Sequence, residues 1–202
     1  MTTDRLSKGS FGTPPLIRLP IRRKVFVSYS HLNRQEAKTF VDTFGGPGGI
    51  FIPKILGVSD TDDFIDSTNT DYVIQRIRDV HIQDSTVTIV LIGECAHSRR
   101  YIDWEIKASL AQGEDKLPNG LIAIQLLSAV NGADLPARLL KNWNPEHVNC
   151  FARYWRYPPS GELLRQSIED AFDAKRTRSK WIQNPQEIMK YNSVCKVHRF
   201  TH

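Results

Sequence analysis

Two runs of almost uninterrupted apolar residues constrain the fold of this chain more than any other feature. They cover Thr86–Gly93 and Leu121–Leu127. Strands that are apolar on both faces are typical of a parallel sheet with helices on both sides. A third run, Lys24–Tyr29, is β-branched and aromatic and ends in small polar residues. The chain is therefore predicted to build its core around a mainly parallel sheet.

Segments with helical periodicity alternate with these strands. The predicted helices cover about residues 33–44, 72–80, 98–112 and 161–174, and the first begins with Asn33 as its cap and Glu36 three residues later. A last strand is expected within Phe151–Tyr157. The second strand is ambiguous, because Pro53 separates Ile50–Ile52 from Ile55–Val58. This alternation predicts an α/β fold of the flavodoxin-like, doubly wound kind, with five strands and helices on both faces.

The length of 202 residues suits one domain with short additions at its ends. We expect an irregular lead-in over residues 1–22, an α/β domain over 23–175 and a C-terminal extension over 176–202. The sequence has no secretory signal and no apolar run long enough for a membrane helix, so no membrane partner is expected.

The three cysteines are far apart and form no CxxC pair. They are Cys95, Cys150 and Cys195. A disulfide framework or a zinc site is therefore not expected, and a reducing cytoplasm is the predicted location.

The formal net charge of +5 is concentrated near residues 18–24 and 175–180. Such clusters could contact the phosphates of a nucleic acid or a membrane. No basic stripe with interleaved aromatic residues accompanies them, so they are interpreted as solvated ends, and no nucleic-acid partner is expected.

One carboxylate stands out on the third predicted helix. Ile102, Ile106 and Leu110 form its apolar stripe, and Glu105 borders that stripe, one turn after Tyr101. A carboxylate held at the edge of a core, near the carboxyl end of a parallel sheet, is a candidate catalytic group. From the spacing alone, a surface glutamate paired with a basic residue remains the alternative.

Three segments resemble one known family. The spacing of Tyr101 and Glu105 resembles the Trp-x-x-x-Glu motif of TIR domains, with Tyr in place of Trp. Phe26–His31 resembles the first TIR box. Val87–Gly93, followed by Arg99–Ile106, is similar to the bacterial TIR-like proteins of the Thoeris anti-phage defence system. The resemblance covers roughly residues 24–130.

The resemblance implies an enzyme that cleaves NAD+ between nicotinamide and ribose, with Glu105 as the catalytic residue. NAD+ would be the substrate, no metal would be needed, and the product would be ADP-ribose or a cyclic nucleotide derived from it. That nucleotide would act on a separate effector protein. The resemblance leaves open whether the chain works alone or as a homo-oligomer.

The resemblance also implies a set of dinucleotide-binding residues in three places. After the first strand, Tyr29 would offer a stacking ring and its neighbours hydrogen-bond donors. An acidic loop over Ser59–Asn69 would cover the site and contact a ribose, although its acidic residues are also turn formers. Arg99 and Arg100 could reach the pyrophosphate, with a basic surface pair as the alternative. The predicted binding residues are Ser28, Tyr29, Ser30, His31, Asp60, Asp63, Arg100 and Tyr101.

Two other functions share this fold. A TIR domain can serve only as a binding module that self-associates or docks a partner, and Glu105 in register with Tyr101 argues against it. A flavodoxin-like receiver would need an acidic pair at the end of the first strand, where this chain has Ser28–Ser30. The enzyme is therefore the leading prediction, and the binding module and the receiver are the alternatives.

Overall fold

The computed structural model of the chain describes residues 21–55, 69–113, 117–158 and 160–202. Within these residues, five parallel strands form one sheet in the order β2-β1-β3-β4-β5. The strands are β1 Lys24–Tyr29, β2 Ile52–Ile55, β3 Val87–Ile92, β4 Gly120–Gln125 and β5 Arg153–Trp155. This order is that of flavodoxin-like sheets, so the predicted fold class is confirmed.

Helices cover both faces of the sheet. They are α1 Arg34–Phe44, α2 Thr70–Ile77, α3 Arg100–Ser109, α4 Ala137–Asn142 and α5 Gly161–Thr177. On one face, α1 and α5 pack on the sheet through residues such as Phe40 and Ile168. On the other face, α2, α3 and α4 contribute Ile77, Ile106 and Leu139. The sequence did not predict α4, because it is only one and a half turns long.

Strand β3 lies at the centre of the sheet, and all six of its residues are buried. It pairs with β1 on one side and with β4 on the other. Burial on both faces explains why its sequence is almost continuously apolar. The two apolar runs therefore predicted the middle of the sheet correctly.

The ambiguous second strand passes through Pro53. In the parallel register with β1, Pro53 lies opposite Val25 and Ile55 lies opposite Val27. A proline lacks the N–H that a ladder bond needs, and it is tolerated here because β2 is an edge strand. The proline therefore lies inside the strand and does not mark its boundary.

The predicted cap of the first helix is wrong in detail. Residues His31–Asn33 form a 3-10 turn before α1, and Ser30 accepts the cap hydrogen bond from Leu32 N at 3.4 Å. The Asn33 side chain makes no cap bond and donates instead to Glu36 Oε2 at 3.2 Å. The extra turn moves the cap three residues toward the strand.

Residues 179–202, called the C-terminal segment below, pack over α3. Trp104 Nε1 donates to the Met189 carbonyl at 2.8 Å, and Lys107 Nζ donates to the Pro185 carbonyl at 3.0 Å. The poor periodicity of this segment gave no prediction of its placement. In the described residues, no helix has the length and apolar character needed to cross a membrane.

The expectation that the cysteines stay unpaired is wrong for two of them. Cys95 and Cys195 form a disulfide in the structure, across a sequence separation of 100 residues. Cys95 lies in the turn after β3, and the docking of the C-terminal segment brings Cys195 to that turn. Such proximity follows from tertiary packing, which cysteine spacing does not show. Cys150 is free and buried.

Candidate active site

The alternation of side chains along β1 decides which of its residues face α3. Val27 and Tyr29 pack with the cluster on the side of α1 and α5. Phe26 packs on the opposite side, with Trp104 of α3. Ser28 points to the same side as Phe26, since side chains two residues apart share a face of a strand. Ser28, next to the end of β1, therefore directs its hydroxyl toward α3.

Glu105 lies on α3 and faces this hydroxyl. Only 4% of Glu105 is exposed, and Ser28 is 1% exposed. Among the described residues, neither Glu105 Oε2 nor Ser28 Oγ has a hydrogen-bond partner. Buried polar atoms are nearly always paired, so two unpaired ones side by side mark a place where a polar ligand or water completes the bonding.

Burial changes the acidity of Glu105. Loss of solvation raises the pKa of its carboxyl from the ordinary value of 4.5 to about 7. The nearby Ser28 hydroxyl lowers the pKa and opposes part of this change, although it does not make a hydrogen bond of normal geometry. A carboxyl group with this pKa is ionised in about half of the molecules at neutral pH. Such poised groups are common in active sites.

Arg99 lies closer to the candidate site than the sequence pattern indicated. It precedes α3, is 5% exposed, and its Nε donates to Ser30 Oγ at 3.3 Å. Its Nη1 donates to the His202 carbonyl at 2.7 Å, whereas the buried Nη2 has no partner among the described residues. Burial lowers the pKa of its guanidinium, which nevertheless stays charged at neutral pH. A buried cation with a spare donor at the carboxyl edge of the sheet fits an anionic ligand group.

A glycine allows the loops after β1 and β3 to approach each other. A Cβ atom on Gly93 would lie 2.2 Å from Asn33 Oδ1. A larger residue would have to displace the Asn33 amide, so glycine at this position lets the loop that carries Ser30 pack closely against the turn that leads to Arg99. The contact therefore positions the mouth of the candidate site.

The other predicted binding residues at the end of β1 and in the loop after it do not lie in one place. Tyr29 is half-buried and packs on the side of the sheet opposite Glu105. His31 is exposed, and partial burial followed by the charge of Arg99 lowers the pKa of its imidazole. Ser30 is buried and holds Arg99. Ser28 and Ser30 are thus the two residues of this loop that face buried candidate groups.

Arg100 and Tyr101 form a separate cluster on the outer side of α3. Arg100 Nη2 donates to the Tyr101 hydroxyl at 3.0 Å. The Tyr101 ring meets the Trp104 ring edge to face, with centroids 5.2 Å apart. The pyrophosphate role considered for this arginine pair fits the buried Arg99 better than Arg100. Asp60 and Asp63 lie outside the described residues.

The comparison of the sequence with protein families gives a match. The sequence model of one family, described as Thoeris protein ThsB, TIR-like domain, matches residues 26–130, just over half of the chain. The chain belongs to this family. No curated protein matches it.

The matched region of this TIR-like protein carries the whole candidate site. It runs from β1 to the turn after β4 and includes Ser28, Arg99 and Glu105. Strand β5, helix α5 and the C-terminal segment lie outside the match. Membership in the family supports a role for the chain as a TIR domain in Thoeris defence.

Proposed function

We propose that this TIR-like protein cleaves the bond between nicotinamide and ribose in NAD+, as a glycohydrolase or cyclase, with Glu105 as its catalytic residue. The observation that supports the proposal is a pair of buried atoms at the carboxyl end of β1, Glu105 Oε2 and Ser28 Oγ, that have no hydrogen-bond partner in the part of the chain that the structure describes. Ligands bind at this edge in doubly wound sheets.

The chemistry of the bond needs little from the protein. Nicotinamide leaves as a neutral pyridine, so its departure requires no added proton. The ribose carbon then carries a developing positive charge, as in other glycosyl transfers. A carboxylate that binds the ribose hydroxyls stabilises this charge, and burial strengthens the effect because water does not screen it.

The fate of the ribose carbon decides the product. Attack by water gives ADP-ribose and releases one proton. Attack by a nitrogen of the adenine ring instead gives a cyclic product that contains one water fewer than ADP-ribose, and it also releases one proton. We propose that the product is an ADP-ribose derivative, of cyclic form, that signals to a separate effector protein.

Arg99 gives the site a means of holding the rest of the dinucleotide. Its buried guanidinium has one unpaired nitrogen, and a pyrophosphate offers charged oxygen acceptors. Ser30 supports the guanidinium from the loop after β1. We propose that this pair positions the pyrophosphate while Glu105 contacts the nicotinamide-side ribose.

The test is the release of nicotinamide from NAD+ by purified protein, with cell extract added in a parallel series. Wild type is expected to release nicotinamide, and Glu105→Gln is expected to lose about 10²-fold or more of that rate. The matched control is Glu162→Gln, an exposed glutamate in the first turn of α5, which is expected to keep the wild-type rate.

The mass of the product then separates hydrolysis from cyclisation. Equal rates in wild type and Glu105→Gln would remove Glu105 from the mechanism. If wild type releases no nicotinamide with or without extract, the result would favour a TIR module that only binds a partner or a second copy.

A further inference from the structure

Four potential metal ligands converge between the turn after β3 and the C-terminal segment. They are Cys95, Cys195, His198 and His202, called the Cys–His cluster below. One ligand atom of each lies within 4.8 Å of those of the others. The two cysteines are buried, His202 is half-buried and His198 is exposed. The proposed NAD+ chemistry uses none of these four side chains.

Two of the distances inside the cluster are close to those around a tetrahedral ion. Cys95 Sγ lies 3.3 Å from His198 Nδ1 and 3.3 Å from His202 Nε2. A zinc ion bound to sulfur at ~2.3 Å and to nitrogen at ~2.0 Å separates a sulfur ligand from a nitrogen ligand by roughly 3.5 Å. Zinc binding would therefore need only small shifts of the imidazoles relative to Cys95, a wider spacing of the two histidine nitrogens, and separation of the two sulfurs on reduction.

The two imidazoles present nitrogen atoms to a common point. His198 Nδ1 and His202 Nε2 are 2.7 Å apart. Without an ion, a hydrogen bond between them requires one ring to supply the proton. With an ion between the ligands, both lone pairs would be used. His198 and His202 also have the spacing H-x3-H, which is usual for zinc-binding histidine pairs.

The Glu94 carboxylate orients His198 through Nε2, the ring nitrogen that is not directed at the cluster. His198 Nε2 lies 3.1 Å from Glu94 Oε2. When this nitrogen donates its proton to Glu94, the other ring nitrogen, Nδ1, keeps a free lone pair that faces the cluster. Metal-binding histidines are almost always oriented by such a second bond. The cluster thus has both the ligands and an orienting group.

Backbone turns hold both halves of the cluster in place. Cys95 begins a tight turn in which its carbonyl accepts from Ser98 N at 3.1 Å. On the other half, Arg199 N donates to the Cys195 carbonyl at 2.7 Å, and Cys195 N donates to the Phe200 carbonyl at 3.0 Å. Arg199 adopts a φ of 61°, a conformation that is uncommon for a side chain other than glycine and is imposed by this turn.

We infer that the reduced Cys–His cluster is a structural zinc site that fastens the C-terminal segment to the turn after β3. The site has four protein ligands, two thiolates and two neutral imidazoles, so no coordination position is left for a substrate. Structural zinc sites are closed in this way. The two thiolate charges balance the charge of the ion, so the site is compatible with the neighbouring cation of Arg99.

The zinc form and the disulfide form exclude each other. A dithiol reductant transfers two electrons and two protons to the disulfide of Cys95 and Cys195, gives two thiols, and is itself oxidised to a disulfide. Zinc then displaces one proton from each thiol, and both protons go to the solvent. The same two side chains therefore serve as a cross-link under oxidising conditions and as zinc ligands under reducing ones.

The test begins with protein purified in a dithiol reductant without chelator. Its metal content is measured by elemental mass spectrometry, and thiol alkylation shows that both cysteines are reduced. Wild type is expected to contain about one zinc ion per chain. Replacement of zinc by Co²⁺ is expected to give the visible absorption of tetrahedral cobalt with thiolate ligands.

Variants locate the ion. Cys195→Ser and His202→Ala are expected to lose zinc and the cobalt spectrum. Cys150→Ser and His147→Asn are the matched controls, because Cys150 is the free cysteine and His147 contacts Trp155 of β5. Both controls are expected to keep the metal. Circular dichroism shows which variants are folded, and the cobalt titration of wild type does not depend on them.

Two results would overturn the inference. One is reduced, folded wild type that takes up neither zinc nor cobalt. The other is a metal content that stays at the wild-type level in Cys195→Ser and His202→Ala. Neither result depends on NAD+ cleavage, so this test is separate from that of the proposed function.

Discussion

At the scale of single residues, Glu105 couples catalysis to stability. Burial of the Glu105 carboxyl favours its protonated form, while the proposed chemistry needs the ionised form. Ionisation of Glu105 therefore lowers the free energy of unfolding over the same range of pH in which it raises the rate. The two effects can be measured separately.

The first prediction concerns stability. The pKa of Glu105 rises from 4.5 to about 7 on folding, so the unfolded chain loses this proton first as the pH rises. The free energy of unfolding therefore falls between these two values, by about 3 kcal/mol in total. Glu105→Gln avoids this loss. We expect it to be more stable than wild type near pH 8 and similar near pH 5.

Denaturant unfolding of both proteins at the two pH values checks this prediction. Glu162→Gln serves again as control and is expected to show no pH-dependent difference from wild type. A Glu105→Gln protein that is destabilised equally at both pH values would contradict it.

The second prediction concerns rate. Because the ionised Glu105 is the proposed active form, kcat/KM for nicotinamide release is expected to rise about tenfold per pH unit below pH 7 and to level off above it. Initial rates at low NAD+ concentration over a series of buffers provide the measurement. A profile that is flat, or that falls with rising pH, would exclude the carboxylate as the acting form.

The third prediction distinguishes the two arginines before α3. Arg99→Lys keeps a positive charge but loses the forked donor set, and it is expected to raise the KM for NAD+ about tenfold or more. Arg100 lies in the outer cluster with Tyr101, so Arg100→Lys is expected to change KM less than about twofold. Steady-state kinetics of the pair gives the comparison. The reverse ranking would assign the pyrophosphate to Arg100.

At the scale of elements, α3 is buried on all sides. The sequence predicted one apolar stripe, of Ile102, Ile106 and Leu110, but every residue from Ile102 to Ser109 is buried. Two of its charged residues, Asp103 and Lys107, pair with groups distant in sequence, whereas Glu105 Oε2 has no partner among the described residues. Asp103 pairs with Arg138 of α4 at 2.9 Å, and Arg138 also donates to the Pro185 carbonyl at 2.8 Å.

The fourth prediction tests this pairing. Arg138→Met leaves the Asp103 carboxylate buried without its ion-pair partner, so it is expected to cost about 3 kcal/mol of stability or more. Arg165→Met breaks only the pair of Arg165 with the exposed Glu162, and it is expected to cost less than about 1 kcal/mol. Urea unfolding measures both. A similar cost for the two variants would show that the pair does not hold α3 and α4 together.

At the scale of the whole molecule, local patterns predicted the sheet and most of its helices. The apolar runs predicted β3 and β4, and the polar end of β1 and the position of Glu105 predicted that Ser28, Ser30 and Glu105 would lie near one another, but not that Tyr29, His31, Arg100 and Tyr101 would lie elsewhere. Patterns within one segment could not predict contacts between distant segments. The burial of Arg99, the coverage of α3 and the meeting of Cys95 with Cys195 all depend on the C-terminal segment, whose own sequence has no clear periodicity.

The fifth prediction follows from this dependence. Deletion of residues 179–202 uncovers Trp104 and leaves Arg138 and Lys107 without the carbonyl groups that accept their hydrogen bonds. We expect the truncated protein to unfold at lower denaturant and to bind a hydrophobic dye such as ANS. A wild-type unfolding midpoint without dye binding would show that the α/β domain does not need this cover.

The link between Cys95 and Cys195 also has a consequence for the denatured chain. It closes a loop across 100 residues of sequence that contains α3, β4, α4, β5 and α5. Closing a loop of this length removes chain entropy from the unfolded ensemble and favours the native state by about 4 to 5 kcal/mol. A metal bridge between the same residues closes the same loop. The redox state and the zinc supply of the surroundings would then set the free energy of unfolding of the chain.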